Sequence, residues 1–259
     1  MVPSPLIIGH RGASAVAPEN TLLAFSRALQ DGANGIDFDV RLSRDRVPVV
    51  IHDANLKRTG QSTRLVGDLT AAELQQCEVC SWFSPVQAEN TQFVGTVPTL
   101  VQVFDLFKEN DALLYLEMKF DRGDVMGLAQ RVVAEIHNAQ IADRVVVSSF
   151  DLSAIAFVKK LDPAIWTAAL FEPKLWHPLS TLRRLKMVDI AVEHGAAQIA
   201  LHHTLVSSRI VEKANESHLP VVVWTVDAVK WLGRARRLGI KSLITNNPAA
   251  MIQQRLIVR

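Results

Sequence analysis

Eight short β-branched runs, most of them separated by helical stretches, constrain this chain more than any other feature. The runs occupy residues 6–10, 35–39, 112–118, 145–149, 165–170, 188–192, 220–225 and 242–245. Between them, helical spacing of apolar residues marks 21–31, 100–110, 125–139, 152–160, 207–217 and 229–238. Asn20 followed by Thr21 supplies an N-cap for the first helix, and Gly32 and Gly239 stand where helices stop. Strand–helix alternation with right-handed crossovers closes into a barrel or a doubly wound sheet. Eight units in 259 residues favour the α/β solution that needs about 250, the (β/α)8 or TIM barrel.

Two segments break the alternation. After Asp39 the chain runs through a polar corner, Ser43-Arg44-Asp45-Arg46, and returns by Val47 to His52. That connection is too short for a parallel crossover, so a hairpin is expected, bringing His52 back opposite Asp37. Residues 54–96 then form an insertion within the single domain 1–259. Its mixture of Gly60, Gly67, Pro85, Gly95, Trp82 and Phe83 predicts a small lobe over the C-terminal mouth, shaping substrate access.

The strand ends carry the chemistry. Asp37 and Asp39 are two residues apart on one strand, so both side chains leave by the same face. Glu117 and Lys119 repeat this arrangement at the end of a later strand. Three carboxylates on two strand ends form an oxygen-ligand set for a hard divalent cation. His10, Arg11 and His52 add two proton-transfer groups and an anion-binding cation. With Lys119 this is the mixture phosphoryl chemistry needs: charge neutralisation on oxygens, with one group to take a proton and one to give it. Cys77 and Cys80 have C-x-x-C spacing but no second pair or nearby His, so inert thiols are expected rather than zinc ligands or a redox pair.

A net charge of +2 gives no argument for a nucleic-acid partner. The basic groups at Arg183-Arg184 and Lys186, and from Lys230 to Arg237, are expected on solvated helix faces. With 49% hydrophobic residues the chain can bury a large core, yet no apolar run approaches the ~20 residues of a membrane span. The first residues lack a charged n-region, and these features together predict a cytoplasmic protein without membrane insertion.

The ordered motifs His10-Arg11-Gly12, Pro18-Glu19-Asn20-Thr21, Asp37-Phe38-Asp39-Val40, Pro48-Val49-Val50-Ile51-His52-Asp53, Arg58-Thr59, Pro98-Thr99-Leu100, Glu117-Met118-Lys119, Ser149-Phe150 and Val223-Trp224-Thr225-Val226 resemble the glycerophosphodiester phosphodiesterase family, in its small cytosolic bacterial form. The resemblance implies a TIM barrel that hydrolyses glycerophosphodiesters, the deacylated phospholipids, to sn-glycerol 3-phosphate and an alcohol. It makes His10 and His52 the acid–base pair. Asp37, Asp39 and Glu117 take the positions of ligands to Mg²⁺ or Ca²⁺, Arg11 and Lys119 hold the phosphate, and Trp224 flanks the glycerol. The attacking group is either water or the glycerol 2-hydroxyl.

Two positions depart from the family pattern. Asp37 stands where Glu is usual, and its shorter arm suits the longer, more flexible coordination of Ca²⁺. Asn246 stands where Asp is common after Thr245, removing a negative charge near the mouth. Two alternatives follow: a catalytically silent barrel that binds glycerophosphodiesters, or a phospholipase-type phosphodiesterase using Trp82 and Phe83 against intact lipid. A Schiff-base role for Lys119, as in an aldolase, conflicts with the adjacent carboxylates, which would keep it protonated. Of the remaining histidines, His137 and His218 are expected at helix ends, His202-His203 in a loop, and His194 after a strand with a chance to line the pocket.

Overall fold

The computed structural model describes residues 4–83, 93–120, 124–173 and 181–257. Among the described residues nine strands run in the order β1 (Leu6–His10), β2 (Gly35–Leu42), β3 (Pro48–Val50), β4 (Leu113–Met118), β5 (Val145–Ser149), β6 (Trp166–Phe171), β7 (Gln198–His202), β8 (Val221–Trp224) and β9 (Ser242–Thr245). Eight of them, all but β3, pair in parallel in the spatial order β1-β9-β8-β7-β6-β5-β4-β2, and β1 pairs with β2 to close the barrel. The fold is a TIM barrel.

Closure follows from where the apolar side chains point. Alternate residues of the strands, among them Ile8, Tyr115, Val146, Ala168, Ala200, Val222 and Ile244, fill the barrel interior. The intervening residues, such as Ile7, Phe38, Leu116, Val147 and Leu243, face outward into the layer formed with the helices. Phe38 is fully buried and packs on Phe25 of α1 (Leu22–Gln30), with ring centroids 5.8 Å apart. Burying such a side chain contributes ~1.5–3 kcal/mol. At Gly35 the β2–β4 approach leaves no room for a side chain, since a Cβ would lie 2.1 Å from the Leu113 carbonyl oxygen.

The run at 188–192 is not a strand. It lies in α3 (Thr181–Glu193), and the barrel strand expected there is β7, just before which Ala197 N–H bonds Thr167 O ahead of the ladder with β6. The burial shows why. Met187, Val188 and Ala191 are buried while Val192 is 49% exposed, which is helical rather than alternating spacing. A short apolar run does not by itself distinguish the two periods.

β3 runs antiparallel to β2, with Val40 opposite Val50, which completes the expected hairpin. The pairing turns one position later than expected: continued, this register sets His52 across from Phe38 rather than Asp37. The described part of 54–96 holds a 3-10 turn (Val66–Asp68) and α2 (Ala71–Leu74), packed over its own apolar cluster of Leu56, Val66, Leu69, Leu74 and Val79. Pro85 lies outside the described residues. Among those described, no helix is long and apolar enough to cross a membrane.

Candidate active site

His10 is the last residue of β1, and the chain turns sharply after it. Arg11 (φ 53°) and Gly12 (φ 86°) both adopt the left-handed conformation. Gly12 has a second constraint, because a Cβ there would lie 2.6 Å from the backbone of Ala24 in α1. The turn aims the Arg11 guanidinium back across the barrel mouth. Its Nη1 donates to Glu19 Oε1 (2.8 Å), and Nε lies 3.2 Å from Asp39 Oδ2.

Asn20 does not cap α1. Thr21 does, accepting from Ala24 N–H at 3.2 Å. That frees Asn20, itself left-handed at φ 56°, to face Asp39: its Nδ2 donates to Asp39 Oδ2 (2.9 Å) and its Oδ1 accepts from Asp39 N–H (3.3 Å). Lys119 Nζ adds a contact to Asp39 Oδ1 at 3.3 Å. Burial alone would raise this carboxyl, but Arg11 and Lys119 outweigh it and hold Asp39 well below the ordinary carboxylate range.

Asp37 lies on the same strand face in the opposite situation. It receives no hydrogen bond or ion pair among the described residues. Burial first, then repulsion from Asp39 and Glu117, pushes its carboxyl well above the ordinary value. Glu117 is pushed up to about 7 by burial and by Asp39, against the pull of Lys119. The structure thus brings all three carboxylates to one end of the barrel, with Asp39 and Glu117 in direct register on β2 and β4. Among the described residues no three His, Cys, Asp or Glu side chains are disposed around a common cation position. Lys119 Nζ contacts both Asp39 and Glu117 instead, and this double ion pair raises its pKa despite burial. A protonated lysine cannot form a Schiff base.

The two histidines reach the same cavity, His10 from the end of β1 and His52 from just after β3, each with Nδ1 engaged. His52 Nδ1 meets Asp53 Oδ1 at 2.6 Å, and Arg41 Nε holds the His52 carbonyl at 2.8 Å. Asp53 is anchored by Arg58, which in turn binds both oxygens of Glu19 (2.8 and 2.7 Å). His10 Nδ1 meets the side-chain oxygen of Asn246 at 2.7 Å. Burial is the largest influence on both imidazoles and lowers both below the ordinary value of 6.5, with Arg11 adding to it.

The cavity measures about 300 Å³. His10, Arg11, Asp37, His52, Glu117 and Lys119 form its polar side, and Phe150, Leu170, Trp224 and Ile244 its apolar side, with Glu172 at the edge. Trp224 packs edge-on between Phe150 (5.6 Å) and His202 (5.2 Å). The arrangement offers two cations for an anion, two imidazoles for proton transfer and an apolar wall for a carbon skeleton. A second cavity of about 370 Å³ shares Lys119 and is lined by Ala54, Leu65 and Gly67 of the 54–96 segment.

Two of the histidine expectations need correction. His194 follows a helix rather than a strand, and its Nδ1 bonds Ile190 O in the last turn of α3, away from the cavity. His202 is no loop residue but the end of β7, where it supports Trp224. Ser149 is turned into the wall, its hydroxyl on Met118 O. Cys77 and Cys80 are free, and burial pushes Cys80 up to about 11. Sequence reasoning assigned no role to Asp53, Arg58, Phe150, Glu172 or Asp227. Asp53 had a local signal in its adjacency to His52, whereas Asp227 had none.

Comparison with known proteins agrees with this geometry. The model of the glycerophosphoryl diester phosphodiesterase family matches residues 10–250. A glycerophosphodiester phosphodiesterase of Caldanaerobacter subterraneus subsp. tengcongensis is 30% identical over 248 residues, covering 95% of this chain and 96% of that protein. A putative glycerophosphodiester phosphodiesterase of Bacillus subtilis is 31% identical over 248 residues, with the same coverage. Among solved structures, an Oleispira antarctica phosphodiesterase in complex with the product sn-glycerol-3-phosphate superposes with a TM-score of 0.83 at 25% identity, covering 99% of this chain and 98% of that one. A match over nearly the whole barrel, including every strand end that lines the cavity, places this chain in the glycerophosphoryl diester phosphodiesterase family of enzymes.

Proposed function

We propose that the protein hydrolyses glycerophosphodiesters to sn-glycerol 3-phosphate and an alcohol, with His10 and His52 as the acid–base pair. The observation that carries this reading is the convergence of two imidazoles, each with Nδ1 engaged, on a cavity that also holds Arg11 and Lys119. Arg11 and Lys119 bind the nonbridging phosphate oxygens and stabilise the charge that builds on them. One imidazole takes the proton of the attacking oxygen. The other delivers a proton to the leaving alcohol oxygen as its bond to phosphorus breaks. Trp224 and Phe150 pack against the glycerol carbons, and the 54–96 segment limits access to the mouth.

Asp37, Asp39 and Glu117 are the residues that would hold a divalent cation, Mg²⁺ or Ca²⁺. The fit rests on their all-oxygen chemistry and on Asp37, a carboxylate aimed into the cavity without a hydrogen-bond partner among the described residues. The cation would supply further charge neutralisation on the phosphate.

The test is release of sn-glycerol 3-phosphate from glycerophosphocholine by chelator-treated protein, with Mg²⁺, Ca²⁺ or no metal added back. Metal-dependent release is expected, with His10→Ala and His52→Ala each lowering kcat by ~10²–10⁴-fold. Near-normal turnover in either variant would remove that histidine from the mechanism. Absence of release with any metal, on several headgroups, would favour a barrel that binds without turnover.

A further inference from the structure

We propose that Asp227 and Asn246 form a positioning pair that locks His10 in its Nδ1–H tautomer and leaves Nε2 facing the cavity as a proton acceptor. This inference rests on the catalytic role given to His10 above. Asn246 follows β9, the barrel neighbour of β1, so its side chain reaches His10 Nδ1. An amide can present either its oxygen or its nitrogen to an imidazole, and the two choices demand opposite tautomers.

Asp227 makes the choice. A carboxylate only accepts, and Asp227 Oδ2 takes the Asn246 Nδ2 hydrogen at 2.8 Å. With the amide nitrogen directed there, Oδ1 is the atom facing His10 (2.7 Å) and the Ser14 hydroxyl (2.9 Å). That oxygen cannot donate, so His10 Nδ1 carries the hydrogen and Nε2 keeps its lone pair. Asp227 is itself fixed: its Oδ1 accepts from Asn246 N–H (2.8 Å) and from the Thr245 hydroxyl (2.9 Å). The two loops are tied together by Val226 N–H to Ile244 O, and the Asn246 carbonyl accepts from Ala15 N–H, both at 2.9 Å. At His52 a carboxylate touches the imidazole directly; at His10 one amide separates them. The pair orients His10 without placing an anion against its ring.

The decisive variant is Asp227→Asn, which keeps the shape. The oxygen of the new amide stays where two donors need it, since the Asn246 backbone N–H can only donate to residue 227 and the Thr245 hydroxyl donates to the same atom. Its nitrogen then confronts Asn246 Nδ2, and the Asn246 amide turns over. His10 meets a donor and shifts to the Nε2–H tautomer, with no acceptor toward the cavity.

Imidazole ¹⁵N NMR, with the His10 signals assigned by their loss in His10→Ala, reads this directly. The wild type should show Nδ1–H and Asp227→Asn the Nε2–H pattern. The same variant should lower kcat by about 100-fold or more with KM little changed. The double variant Asp227→Asn with Asn246→Asp restores acceptors toward both the amide at position 227 and His10, and should recover both the Nδ1–H signature and kcat. An unchanged tautomer in Asp227→Asn, a changed tautomer with unaltered kcat, or a double variant as impaired as the single would each overturn the proposal. If His10→Ala instead retained turnover, the catalytic assignment would fall while the NMR result still reported whether the pair sets the tautomer.

Discussion

Asp37 and Asp39 share one strand face and differ in everything their surroundings decide. Asp39 is clasped by Arg11, Lys119 and Asn20, whereas Asp37 faces the cavity with two carboxylates nearby and no hydrogen bond from a described residue. The two substitutions should therefore move stability in opposite directions. Asp37 has a folded pKa raised above its unfolded one, so above the unfolded value its charge weakens the folded state; Asp37→Asn should raise the Tm of metal-free protein at pH 7. Asp39 has a depressed folded pKa and contributes stability above its unfolded value, lost as pH falls through the folded one; Asp39→Asn should lower Tm at pH 7. Both should lose activity. Thermal melts of the two chelated variants check the pair, and a Tm that falls equally in both would refute the contrast. The face these residues share was legible in their spacing. Their opposite electrostatics were not, because Arg11 and Asn20 come from the loop after β1 and Lys119 from the end of β4, segments that only the folded barrel brings to Asp39.

At the scale of elements, the start of α1 shows how a cap serves a site. The Thr21 hydroxyl accepts from Ala24 N–H and donates to Pro18 O at 2.7 Å, fixing the turn that presents Glu19 and Asn20. Thr21→Ala should cost ~1 kcal/mol of stability in urea unfolding. It should also lower turnover, because Asn20 loses its anchor against Asp39; a stability loss with unchanged kcat would confine Thr21 to capping. The Pro18-to-Thr21 motif marks this loop in the sequence, with Asn20 the expected cap. Either residue type caps well, and only the left-handed backbone at Asn20 turns it toward the site. The error at α3 has the same origin. Residues 188–192 look β-branched, while β7 begins and ends in Gln198 and His202, polar residues that hide a barrel strand whose inner positions feed the interior and the site.

For the whole molecule, the barrel interior is the joint on which the site rests. Tyr115 is 1% exposed, and its hydroxyl reaches across from β4 to Gln198 Oε1 on β7 (3.0 Å) and Ser242 Oγ on β9 (3.3 Å). Tyr115→Phe strands these groups, so unfolding should show a loss of ~1–3 kcal/mol; a loss below about 0.5 kcal/mol would mean that the interior readjusts around them. The alternation of strands and helices, the face each strand residue takes and the types of group at the strand ends were all set by the sequence itself, because a period of two or of 3.6 is a local property of the backbone. Which side chains meet was decided only by closure. Pairing β1 with both β2 and β9 brings His10 against Asn246, 236 residues away, and lets Asp227 direct that contact from a third loop. No local pattern encodes such a meeting, since it depends on the register of every strand between them.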